Sequence, residues 1–75
     1  MVRFINNWMF AQHRWKDEES TPVAINIRKI VKITEVRNTQ YGDYVAVFTD
    51  DEELIPIEGN IIDVLAKFQE HLINY

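Results

Sequence analysis

Nine consecutive residues of this 75-residue chain carry more chemistry than packing requires: Trp8-Met9-Phe10-Ala11-Gln12-His13-Arg14-Trp15-Lys16. Aromatic faces stack on bases, and arginine or lysine meets phosphate. Interleaved aromatics and cations therefore suit a single strand, a nucleotide or a nucleotide-like signal. Tryptophan and arginine are also the residues that concentrate binding energy in protein interfaces. A third reading is structural: Trp8 and Phe10 fill the core, Arg14 and Lys16 keep a loop soluble, and Trp15 is the residue a core explains least.

Arg28, Lys29, Lys32 and Arg37 form a second basic block. If the strand that carries them alternates, Arg28 and Lys32 share a face, and Tyr41 or Tyr44 stands nearby from the next hairpin. Such charges form a solvated sheet face that discourages edge pairing, or a surface that recognises acid. The candidate partner- or ligand-binding residues are accordingly Trp8, His13, Arg14, Trp15, Arg28, Lys29, Lys32, Arg37 and Tyr41.

Little points to catalysis. His13 and His71 are far apart and fit no metal-ligand spacing, and the absence of cysteine removes thiolate zinc, a disulfide framework and a cysteine nucleophile together. Ser20 and the threonines lack a histidine and acid to activate them, and two scattered glycines cannot build a phosphate loop. Asp50-Asp51-Glu52-Glu53 reads as a solvated hairpin tip, since a calcium loop wants a glycine-permitted turn. The expectation is a non-enzyme with no cofactor and no metal.

Composition sets the frame for these residues. With 47% hydrophobic and 27% charged side chains the chain reads as one ordinary folded domain, residues 1–75. A domain this short buries only about 60% of its unfolded surface, so without disulfides its stability rests on packing or on a partner subunit. The net charge of −4 disfavours a dedicated DNA binder, but it is an average. Residues 1–16 carry Arg3, Arg14 and Lys16 without an acid, residues 20–40 carry four cations against Glu35, and from residue 41 eight acids face Lys67 alone. That division favours association with a second copy or with another acidic surface. No run approaches a membrane span, and the N-terminus lacks the pattern of a signal peptide, which gives an expectation of a cytoplasmic protein.

The elements that position these side chains follow from periodicity. Residues 1–20 read as an aromatic and basic hairpin and loop: a strand over Val2–Ile5, a turn at Asn6-Asn7, a returning strand from Trp8 to Ala11, and a loop from Asp17 to Thr21. Residues 21–57 read as a meander. Val23–Ile27 is a strand, a kink falls at Arg28-Lys29, and β-branched residues favour strand over a single helical turn for Ile30–Val36. Asn38–Asp43 is a hairpin loop, Tyr44–Thr49 a strand, and Asp50-Asp51-Glu52 a tight turn. Glu53–Ile57 returns, with Pro56 confined to an edge or a non-bonded position. Asn60 caps a helix over 60–74, with Ile61, Leu65, Phe68 and Leu72, beside Val64, as its apolar stripe. The fold class is α+β, an antiparallel meander of four or five strands covered by one C-terminal amphipathic helix.

Ile25-Asn26, Ile30, Ile33, Val45-Ala46-Val47-Phe48-Thr49-Asp50-Asp51, Leu54-Ile55-Pro56-Ile57 and the capped helix through Asp63-Val64-Leu65 together resemble the FlbD family, small bacterial proteins encoded among flagellar genes. The opening Met1-Val2-Arg3-Phe4 suits that family's first strand. A looser similarity extends to LytTR-type DNA-binding domains. The resemblance covers about two thirds of the chain, rests on hydrophobic spacing, and brings no catalytic residues. It implies a strand-hairpin-helix scaffold and a regulatory role. Two features depart from it: the turn is acidic where the family has Asn-Gly, and residues 8–20 read as an insertion. Those departures equally suit a bacteriophage or mobile-element protein.

Three functions follow as expectations. The first is a small interaction protein that associates with itself and modulates a bacterial host protein or a defence or regulatory pathway. The second is a protein that sequesters a nucleotide-like small molecule through the aromatic-basic segment. The third is a FlbD- or LytTR-like DNA-binding regulator.

Overall fold

Asparagine tolerates a left-handed backbone, and Asn6 adopts one, φ 53°, in the turn joining β1 (Arg3–Ile5) to β2 (Trp8–His13). The computed structural model describes residues 2–14, 19–37, 40 and 42–74. β3 (Thr21–Asn26) pairs along the whole of β2, from Trp8 opposite Asn26 to His13 opposite Thr21. Thr21, expected in a loop, is therefore a strand residue. Pro22 beside it is tolerated because, among the described strands, β3 is bonded to β2 alone, leaving its other edge to receive the missing N–H.

The expected kink is a single 3-10 turn at Ile27–Lys29, held by the Asn26 Oδ1, which accepts the Arg28 N–H at 3.0 Å. β4 (Ile30–Val36) follows with an irregular register between Ile30 and Lys32 that leaves Val31 as the extra residue. β5 (Tyr44–Thr49) and β6 (Leu54–Ile57) complete a second three-stranded meander. Between them the Thr49 N–H donates to the Glu53 carbonyl and the Glu52 N–H to the Thr49 carbonyl, both at 3.0 Å, and Glu52 takes φ 66°. This is the three-residue hairpin loop with a left-handed final residue.

β6 also meets β2, through His13 opposite Ile57, and so the two meanders merge into one curled antiparallel sheet. Pro56 lies inside that sheet. Its carbonyl accepts the Arg14 N–H at 3.0 Å on the β2 side, so its ring nitrogen also faces away from β5, in the non-bonded position expected for it. Alternation then decides the core: Met9 and Ala11 from β2, Ile25 from β3, Val45 and Val47 from β5 and Ile57 from β6 point inward and meet Val2 and Val64. Trp8 and Phe10 fall on the opposite face of β2, so the reading that they fill the core is corrected. Met9, with no exposed surface, takes that place.

α1 (Ile61–Asn74) starts where expected. The Asn60 Oδ1 accepts the N–H groups of Ile62 at 2.9 Å and Asp63 at 3.3 Å. Gly59 sits before the cap at φ 145°, and a Cβ there would lie 3.3 Å from Val64 Cγ2. The helix packs on β1 and β4 and so bridges two separated strands of the curled sheet. The result is α+β, an antiparallel sheet closed by one C-terminal helix.

The buried stripe of α1 differs from the expected one. Val64 is buried, and Ile61, Phe68 and His71 are half-buried, whereas Leu65 and Leu72 are exposed. Contacts from β1 account for the rotation. Phe4 meets Phe68 edge-to-face at 5.2 Å and stacks on His71 at 5.6 Å, and His71 Nε2 hydrogen-bonds the Asn6 carbonyl at 2.7 Å. These contacts draw the His71 side of the helix onto β1 and lift Leu65 and Leu72 out of the core.

Candidate functional site

The described part of the aromatic-basic segment, residues 8–14, does not form one patch. Alternation along β2 places Trp8, Phe10 and Gln12 on one face and Met9, Ala11 and His13 on the other. Trp8 and His13 also stand at opposite ends of the strand, about 16 Å apart at 3.3 Å per residue. Trp8 is 44% exposed, above a shallow concavity that it shares with Lys29, Thr49, Asp51 and Glu53. His13 is half-buried between Thr21 and Ile57. The Arg14 guanidinium reaches Gly42, where a Cβ would lie 3.7 Å from it, so that side chain spans the end of β2 and the loop before β5. Trp15 and Tyr41 lie outside the described residues, as does Lys16.

The second basic block is likewise divided. Arg28 belongs to the 3-10 turn and Val31 is bulged, so the alternation that would align Arg28 with Lys32 does not apply. Lys32 stands opposite Phe48 across the strands, with its Nζ 4.7 Å from the ring centroid, a cation–π contact. The Lys29 carbonyl accepts the Asp50 N–H at 2.8 Å, which brings the base of the acidic turn to the basic turn. Arg37 Nε bonds Glu35 Oε1 at 3.1 Å, and that hydrogen bond, with the nearby charges of Glu35 and Asp43, holds the guanidinium protonated even more firmly than usual. Halves of the chain that carry opposite charge in sequence are thus partly interleaved in space.

In the acidic turn the Thr49 hydroxyl donates to Asp51 Oδ1. This bond, above all, holds the Asp51 carboxyl below the usual carboxylate range, and the Lys29 charge adds in the same direction. Among the described residues no three His, Asp or Glu side chains converge as metal ligands, and no helix is long and apolar enough to cross a membrane. His71 is occupied by Phe4 and the Asn6 carbonyl.

What the structure does assemble is apolar. Projected at 100° per residue, Val64, Ile61, Phe68, Leu72, Leu65, Ile62 and Ile73 span an arc of about 180° on α1, interrupted by Gln69. Val64, Phe68 and Ile61, the first third of that arc, are its buried and half-buried part. Ile62 and Ile73 are 74% and 75% exposed and Leu72 is 57% exposed. Leu65 and Leu72 line a groove of about 440 Å³ with Ile30, Val31 and Ile33 of β4, whose outer edge pairs with no described strand. Val31 is 66% exposed at the lip.

No family model, curated protein or solved structure matches this chain. Function has to be read from this surface. Ile62, Ile73 and Val31 are the residues that sequence reasoning overlooked. The signal for the first two was present, because an arc of about 180° is wider than one sheet face requires of a 14-residue helix. Val31 was not legible, since its exposure depends on the bulge.

Proposed function

We propose that this chain is a non-enzymatic interaction module that docks the α1–β4 face onto protein, including copies of itself, and thereby modulates a bacterial protein. The observation that carries the reading is the exposure of Ile62, Leu65, Leu72 and Ile73 along one side of a helix whose other side anchors the core. Contiguous exposed apolar surface of this kind marks an interaction site in a small domain with little stability to spare. A small chain without cysteine suits a phage- or mobile-element-encoded modulator of a host pathway. The test is affinity capture from a bacterial lysate with the wild-type chain and with Ile62→Lys/Ile73→Lys. Both positions are solvent-facing, so the variant should keep its melting temperature and lose the captured protein. Identical capture by the two chains refutes the reading.

A second reading, sequestration of a nucleotide-like ligand, draws on half-exposed Trp8 beside Lys29. Asp51 and Glu53 in the same concavity repel phosphate and rank it lower. Quenching of tryptophan fluorescence by a member of a nucleotide panel would raise it, and a flat response would dispose of it. A FlbD- or LytTR-like DNA-binding role ranks lower again, because Lys32 is placed over Phe48 and Arg37 is paired with Glu35.

A further inference from the structure

We propose a second binding surface, the open edge of β3, which takes an extended peptide segment as an added strand and seats an arginine of that segment beside Trp8, Asp51 and Glu53. The register fixes which backbone groups are offered. The Glu58 N–H donates to the Gln12 carbonyl at 2.9 Å, so the backbone groups of Gln12 face β6. Pro22, opposite Gln12, therefore turns its own away from β2, and at the two-residue period of a strand Ala24 turns its N–H and carbonyl the same way. No described strand takes them, and Ala24 is exposed. Pro22 blunts the start of this edge, which leaves Val23 to Asn26 for a short added strand.

Beside that stretch of edge lies a cleft of about 290 Å³, where Trp8, Ala24 and Asn26 meet Asp51 and Glu53 of the β5–β6 connection and Lys29 of the 3-10 turn. An added strand sends alternate side chains to one face, so one of them enters the cleft. Trp8, 44% exposed, offers that side chain an indole. The two carboxylates outnumber the one ammonium, exposed Asp50 and Glu52 of the same turn add to the negative charge, and Arg28 does not line the cleft. A guanidinium suits both features, since its plane stacks on the indole and its fork of N–H donors takes a carboxylate. The acids that repel phosphate from Trp8 thus favour a cation there. None of these residues lines the groove between α1 and β4, so this surface is independent of the one proposed above.

Isothermal titration of the full chain with capped pentapeptides of threonine and valine around a central arginine, glutamine or glutamate tests this. The arginine peptide should bind, the glutamine peptide about tenfold more weakly, and the glutamate peptide not at all. Glu53→Gln should weaken the arginine peptide about threefold and leave the glutamine peptide unchanged. Ala24→Pro, which removes an N–H that no described strand uses, should end the binding of both, with circular dichroism to establish that each variant is folded. N-methylation of the peptide at alternate amides repeats that test without altering the protein. One of the two alternating sets should end binding while the other is tolerated, as strand addition requires. Ile62→Lys/Ile73→Lys should bind the arginine peptide as the wild type does. No binding of the arginine peptide, equal binding of the arginine and glutamine peptides, or equal loss from both methylation sets overturns the proposal. So does agmatine, a free guanidinium, if it binds as tightly as the peptide, or a loss of peptide binding in Ile62→Lys/Ile73→Lys.

Discussion

Replacing Val64 by alanine should cost far more than replacing Leu72, although both belong to the apolar side of α1. Val64 is 1% exposed and touches the core formed by the curled sheet, while Leu72 is 57% exposed. Losing two methyl groups from a site that cannot collapse removes about 1.6 kcal/mol of transfer free energy, and the cavity brings the total to roughly 2–3 kcal/mol. The same reckoning for Leu72, three carbons less than half buried and with no cavity left behind, gives at most about 1 kcal/mol. A 75-residue domain holds on the order of 4–11 kcal/mol in all, so Val64→Ala consumes a large share of it. Thermal unfolding followed by far-ultraviolet circular dichroism in dilute solution reads the difference. Midpoints should fall by about 10–20 °C for Val64→Ala and by no more than about 8 °C for Leu72→Ala. Equal losses, or a greater loss at Leu72, would show that the helix is seated on Leu65 and Leu72 after all and would remove the basis for a free apolar face.

Three further outcomes follow. Glu52→Gly should stabilise the protein by about 0.5–1 kcal/mol in chemical denaturation, because Glu52 holds the left-handed position of the β5–β6 turn at a cost glycine avoids; a loss of stability would contradict the turn geometry. Gly59→Ala should destabilise by about 1–3 kcal/mol, since φ 145° strains any side chain and the new methyl group would meet Val64 at 3.3 Å; an unchanged midpoint would refute it. Thr49→Val should make stability less dependent on acid. The Asp51 carboxyl is held low in the folded state, so its contribution is present above the unfolded value and lost as pH falls through the folded one. The gap between wild type and Thr49→Val should accordingly close on titration from neutrality to about pH 2, and a gap constant with pH would exclude the Thr49–Asp51 bond as its source.

The fold was legible where local signals agreed. Asn6 marked the first turn, Asn60 the helix cap, and the alternating Val45 and Val47 a core strand, because each depends on neighbours in sequence. The face of β2 that points inward was misread for a physical reason. Residue size argued for Trp8 and Phe10, but the pairing of β2 with β1, β3 and β6 fixes which parity of residue meets the core, and that parity selects Met9 and Ala11. The helix stripe erred by a rotation of about 40°, since the Phe4, Phe68 and His71 cluster and the Asn6 carbonyl act across more than sixty residues of chain. The candidate binding residues were chosen by composition, and the structure distributes them: Trp8 with acids at one end of β2, Arg14 against Gly42 at the other, and Arg37 on Glu35. The apolar face was half visible in Leu65 and Leu72, which sequence periodicity assigned to the core.

Native mass by light scattering on a calibrated column, with and without added bacterial lysate, tests the interaction module most directly. The wild type should elute as a species heavier than 8.9 kDa, alone or with lysate, and Ile62→Lys/Ile73→Lys should elute as a folded 8.9 kDa monomer in both. Two chains that elute alike, whether both monomeric or both assembled, would contradict a docking role for the exposed side of α1.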